Sequence, residues 1–252
     1  MVIRFTARLL AAICSLISLF VLPAQAGVVL ETTRVIYPAQ EREISVPVIN
    51  DNKNLPVLVQ VWVDDGNKKS APDQIKAPFL VAPPMFRMEP GKGQSLRITY
   101  LRDEPLPTNK ETVFWLNLLE VPPKAKTVKA EANNTLQLAF RTRVKLFFRP
   151  KDLKGNVADA PSQLRWKVLH EGDQPLLEAE NPSAYYVSFE RVSLVADGKE
   201  MNTEDPQMIE PGGTQRFVLS GTSLPVSAKT HVQFTSIDDR GLIASHTAVP
   251  TP

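Results

Sequence analysis

Leu106-Pro107-Thr108-Asn109-Lys110-Glu111-Thr112-Val113-Phe114-Trp115-Leu116-Asn117-Leu118-Leu119-Glu120-Val121-Pro122-Pro123 is the stretch that decides what this chain folds into. Its centre, Thr112–Val121, is rich in β-branched, aromatic and aliphatic residues and is stopped by two prolines, which fix φ and carry no N–H for a ladder. That is the pattern of a β-strand followed by a turn.

Outward from it the same pattern repeats. On the N-terminal side lie the apolar period-two runs Val28–Tyr37, Ile44–Asn50, Leu55–Val63 and Ser95–Leu101, and on the C-terminal side Leu136–Phe148. Turn chemistry separates them at Asp64-Asp65-Gly66-Asn67, which reads as a hairpin turn, and at Pro83-Pro84, Pro90-Gly91 and Pro122-Pro123. Pro47 inside Ile44–Asn50 places that run at a sheet edge or a bulge. A second series follows: Leu164–Leu169, Leu176–Glu180, Tyr185–Val195, Gln215–Leu219, Thr230–Ile237 and Leu242–Val249, with Gly172, Asp197-Gly198, Pro211-Gly212-Gly213 and Gly241 between them. Helical periodicity is hard to find after Gly27. The expected class is all-β, two sandwiches joined through the polar segment Arg149-Pro150-Lys151-Asp152-Leu153-Lys154-Gly155. Neither half carries the Cys…Trp…Cys framework of antibody domains, so the likeness to an immunoglobulin fold rests on strand count.

The N-terminus has Arg4 and Arg8, an apolar stretch Leu9 to Leu22, and Ala24-Gln25-Ala26, the pattern of a secretory signal cut before Gly27. The apolar core is about 14 residues long, short of the roughly 20 that span a bilayer. Cys14, the single cysteine, lies inside that segment. Removing residues 1–26 takes away two arginines and no acid, so 29 − 2 = 27 basic residues face 27 acidic ones. A neutral mature chain lacks the basic field of a nucleic-acid binder. At 252 − 26 = 226 residues it is long enough to hold two cores without disulfides.

Enzymatic motifs are missing. His170, His231 and His246 lie on or beside expected strands with no zinc-protease or serine-hydrolase signature near them. Asp64-Asp65-Gly66-Asn67 lacks the alternating acids and closing Glu of a calcium loop. No enzyme and no cofactor or metal is expected.

The Leu106–Pro123 stretch resembles the signature of the periplasmic pilus-assembly chaperones, the PapD-like family of the chaperone–usher pathway. Leu136-Gln137-Leu138-Ala139-Phe140-Arg141-Thr142-Arg143-Val144-Lys145-Leu146-Phe147-Phe148-Arg149-Pro150 and Glu180-Asn181-Pro182-Ser183-Ala184-Tyr185-Tyr186-Val187-Ser188 agree with the same family in order and spacing. The resemblance implies two immunoglobulin-like domains in an L, at 27–150 and 156–252 after a 1–26 signal. It also implies a periplasmic location and a non-enzymatic role: binding fimbrial subunits by donor-strand complementation and delivering them to an outer-membrane usher, without embedding in the membrane. Whether the idle protein self-associates over its apolar strand is left open by the sequence. The short polar connection Lys124 to Asn133 matches the short-loop subgroup.

On residue chemistry alone, Leu136, Leu138 and Phe140 form one face of a strand that could be ordinary core. The resemblance makes them the strand lent to a subunit, β-strand addition of a kind known for chaperone–pilin pairs. By the same resemblance Arg34 and Lys145, otherwise ordinary surface charges, are the anchor for the subunit's C-terminal carboxylate. Strict alternation puts Lys145 on the face opposite Leu138, which calls for a bulge or twist near the elbow. Glu111, Arg149 and Asp239, with Asp238 as the alternative acid, fall where the family has an inter-domain ion network. The competing expectation is an exported β-sandwich adhesin or carbohydrate binder.

Overall fold

Alternating side chains become strands almost throughout, in a computed structural model that describes residues 27–69, 75–123, 137–172, 174–220 and 230–251. The expected leader with Cys14, the connection Lys124 to Asn133, and Leu136 lie outside the described residues.

The first half contains β1 (Val28–Leu30), β2 (Arg34–Pro38), β3 (Glu43–Asn50), β4 (Val57–Asp64), β5 (Phe79–Ala82), β6 (Met85–Met88), β7 (Gly93–Tyr100), β8 (Thr112–Val121) and β9 (Phe140–Arg149). They make two sheets, β1-β3-β7-β5 and β2-β9-β8-β4-β6. Even-numbered positions of β8 and β9 point between the sheets: Phe114, Leu116, Leu118, Val144, Leu146 and Phe148 are buried there with Val61, Leu96 and Ile98. Odd-numbered positions face outward. Tyr37 closes one end, its hydroxyl donating to Arg42 O at 3.0 Å and accepting from Tyr100 N at 3.0 Å, with its ring stacked on Phe148.

The second half contains β10 (Arg165–Glu171), β11 (Gln174–Glu180), β12 (Phe189–Ala196), β13 (Lys199–Thr203), β14 (Thr214–Ser220), β15 (His231–Ile237) and β16 (Ile243–Ala248), in one curled sheet ordered β10-β11-β14-β13-β12-β15-β16. Trp166, Phe189, Phe217 and Phe234 fill its interior with ring centroids 5.1–6.0 Å apart, an edge-on and tilted packing that aromatic quadrupoles favour. The two cores share no residue. A 3₁₀ helix at Val157–Gln163, capped by the Asn156 side chain, follows the elbow, where the sequence pattern predicts no helix.

Several expectations are corrected. Val28–Tyr37 is two strands in different sheets, because the Thr32 hydroxyl bonds both the N–H and the carbonyl of Arg34 and turns the chain between layers. Asp64–Asn67 is not a hairpin turn, since β4 pairs with β8 and β6 and the chain leaves it for the other sheet. The short strands β5, β6 and β13 are additional to the runs that alternate in the sequence. Pro47 does sit at an edge: β1 pairs only with Val48–Asn50, and the β3–β7 register runs from Glu43 to Ile49 without a slip.

Candidate functional site

The strand β9 leaves its own sandwich part-way along. Val144, Leu146 and Phe148 are buried, but Phe140 on the same face is 61% exposed and Leu138, which precedes the strand, is 52% exposed. The expected strand from Leu136 thus begins at Phe140. On one side β9 pairs with β8 along its whole length, from Thr112↔Phe148 to Glu120↔Phe140. On the other side β2 runs parallel to it and reaches only Lys145–Arg149. Among the described residues, the outer edge of Phe140–Val144 therefore has unpaired backbone next to uncovered apolar side chains, a template for an added strand.

Where β2 meets β9, Arg34 lies in register with Lys145. No bulge or register slip is involved: both ladders of β9 are regular. Lys145 reaches the second half because Arg143, Lys145, Phe147 and Arg149 occupy the odd face, away from the sandwich core. Its Nζ donates to Ser188 Oγ at 3.0 Å. The buried Arg34 donates from Nη1 to Ile237 O at 2.8 Å, while its Nε has no acceptor. Among the described residues neither cation makes an ion pair.

Burial, opposed by the more distant Asp239 and Asp238, lowers the pKa of Arg34. Burial and then the Arg34 charge push Lys145 down to about 8. Two desolvated cations side by side are unfavourable, and an anion placed between them relieves both the desolvation and the repulsion.

Next to this pair, Arg149 bridges the halves. Its Nε donates to Glu111 Oε1 at 2.5 Å, and its Nη1 and Nη2 donate to Asp239 Oδ2 and Oδ1 at 2.6 and 2.8 Å. Glu111, 2% exposed, also accepts from Tyr186 N at 2.8 Å. Burial raises the Glu111 pKa despite Arg149, because one guanidinium is shared between two carboxylates. Burial also works against the charge on Arg149, but the Asp239 and Glu111 carboxylates outweigh it and hold the guanidinium above its ordinary range. Asp239 is the second acid; Asp238 instead accepts from Arg240 N and Leu242 N and shapes the β15–β16 turn. Gly241 in that turn has φ +82°, and a methyl group on it would overlap Thr33 Oγ1, so only glycine lets the turn approach β2 this closely. Arg34, Glu111, Arg149, Ser188, Asp238 and Asp239 line a cleft of about 370 Å³ between the halves, together with Phe147, Tyr186 and Ile237.

The comparisons with known proteins agree over both halves. The family described as pili and flagellar-assembly chaperone, PapD N-terminal domain, matches residues 27–154, and pili assembly chaperone PapD, C-terminal domain, matches residues 159–248. The chain belongs to the PapD family of pilus-assembly chaperones.

The chaperone protein FimB/FhaD of Bordetella pertussis is 41% identical over 89% of this chain and 88% of its own length. The probable fimbrial chaperone YadV of Escherichia coli is 40% identical over 86% and 87%. Among solved structures, the CupB2 chaperone of Pseudomonas aeruginosa superposes with a TM-score of 0.73 at 38% identity, covering 88% of this chain and all of that one. The SafB chaperone of Salmonella enterica, solved in complex with the SafA pilin, gives 0.72 at 30% identity, covering 90% and 98%.

Against that family background, three parts of the cleft and its surroundings escaped the sequence reading. Ser188 meets Lys145 from the second half, and Gly241 sets the approach of the β15–β16 turn. On the outward face of β4, β8 and β9, the fully buried Asp64 collects Arg143 Nε and Nη2 at 3.0 and 2.5 Å, Asn117 Nδ2 at 2.7 Å and Gly66 N at 2.7 Å. Taking Asp64 for a turn residue concealed it. The one available signal was the alternation Arg141, Arg143, Lys145, a cationic face on a strand whose other face is apolar.

Proposed function

We propose that this chain is a periplasmic chaperone that binds fimbrial subunits by lending them the start of β9 and hands them to an outer-membrane usher. The exposed apolar ribbon at Leu138 and Phe140, with an open backbone edge beside it, carries this reading. A subunit that lacks its last strand presents the complement: an apolar slot with unpaired N–H and C=O groups. Leu138 and Phe140 fill the slot, and Leu136, outside the described residues, belongs to the same proposed donor segment. Arg34 and Lys145 grip the subunit's C-terminal carboxylate. Because a slip of two residues keeps the same apolar face inward, that charged anchor sets the register.

Glu111, Arg149 and Asp239 act structurally, holding the units 27–150 and 156–252 at the angle that forms the cleft. The two separate cores and the polar elbow support those limits. Catalysis has no part in this reading.

The test is recovery of a one-to-one complex with a fimbrial subunit from periplasmic extract. Lys145→Ala, folded normally by circular dichroism, is expected to lose the complex. Wild-type yield of complex from that variant overturns the anchor.

A further inference from the structure

The half of β9 that β2 leaves unpaired ought to fray, since one ladder holds it and Phe140 at its start lacks apolar cover. It is instead fastened by side chains on its outward face. Arg143 lies in a bidentate pair with Asp64 and over the Trp115 ring at 4.0 Å. Arg141, next to Phe140, donates from Nε and Nη2 to Asn117 Oδ1 at 2.9 and 2.7 Å, from Nη1 to Lys68 O at 3.0 Å and from Nη2 to Asp64 Oδ2 at 3.4 Å, and packs over Trp62 at 5.0 Å.

Arg143 ends on the Asp64 carboxylate, which has no solvent exposure and is placed on β4, two strands away from β9. Arg141 reaches the same carboxylate chiefly through Asn117, whose Nδ2 donates to Asp64 Oδ2 at 2.7 Å. Gly66, at φ +114°, turns its N–H back onto the same carboxylate. Burial alone would push the Asp64 carboxyl up, but the bonds from Arg143, Asn117 and Gly66 N hold it below its ordinary value.

We infer that Asp64 is a positioning residue for subunit capture: through Arg141 and Arg143 it holds the lending half of β9 extended before a subunit arrives. Ordering a strand only at the moment of binding weakens binding, and a strand ordered in advance avoids that loss. The inference rests on the strand-lending role proposed above.

The test compares Asp64→Asn, Arg141→Met, the double variant and Phe140→Ala in the full chain. Hydrogen exchange of the free protein is measured first. Asp64→Asn is expected to raise exchange at Phe140–Val144 at least about tenfold while β12 and β15 keep wild-type protection. Capture of a fimbrial subunit diluted from urea should slow about tenfold in each of the first two variants, and by clearly less than the product of the two in the double, because both changes weaken one hydrogen-bonded network. Unchanged exchange at Phe140–Val144, multiplicative losses in the double, or wild-type capture by Asp64→Asn with capture lost in Phe140→Ala overturns the role of Asp64 and leaves the lending strand standing. Wild-type capture by Phe140→Ala removes both.

Discussion

Truncating Phe140 to alanine separates what β9 does for its own fold from what it does for a partner. Full burial of a Phe side chain is worth about 1.5–3 kcal/mol. With 61% of the residue still in water, the part left to gain in a complex is about 1–2 kcal/mol, and the part already spent in the free fold is about 1 kcal/mol or less. Phe140→Ala is therefore expected to weaken subunit binding roughly fivefold to thirtyfold and to move the urea midpoint of the free protein only slightly. Titration calorimetry against a subunit deleted for its terminal strand gives the first quantity, and equilibrium unfolding of the full chain gives the second. Unchanged affinity together with a loss of several kcal/mol in the free protein would mean that Phe140 serves the sandwich and not a partner.

Two further predictions concern the charged groups. Lys145, depressed to about 8 from 10.5, binds fewer protons folded than unfolded between those values, so the free protein should gain stability as pH rises through that window. A bound carboxylate favours the ammonium form, so above pH 8 capture must take up a proton and affinity should fall up to about tenfold per pH unit; an affinity that stays flat from pH 8 to 10 argues against the anchor. Removing the guanidinium with Arg149→Ala leaves the buried Glu111 carboxylate unpaired and should destabilise the chain by about 3–5 kcal/mol. Adding Glu111→Gln should restore much of that loss, and a cost below about 1 kcal/mol in urea unfolding would show the network to be dispensable.

Strand β8 was legible because its apolar run is long and closed by prolines, and its bounds in the fold are those read from the residues. The same holds for the two-series, all-β organisation. The short strands β5, β6 and β13 have too few residues for alternation to register, and Lys199–Thr203 is mostly polar. The ions of the candidate site were named from the family pattern, and the tertiary structure then placed Arg34 opposite Lys145 and Arg149 between Glu111 and Asp239.

What the sequence determined by itself is therefore local: which side chains alternate, where the backbone must turn, and that two apolar cores have to form. Which strand stays half-uncovered was a tertiary decision. Phe140 and Phe148 read alike along the chain, and they differ because β2 stops at Lys145 and leaves the rest of β9 with a neighbour on one side only. The Asp64 cluster was equally hidden, because it joins residues from three strands, and burial of a charge depends on what packs around it and not on what precedes or follows it in the chain.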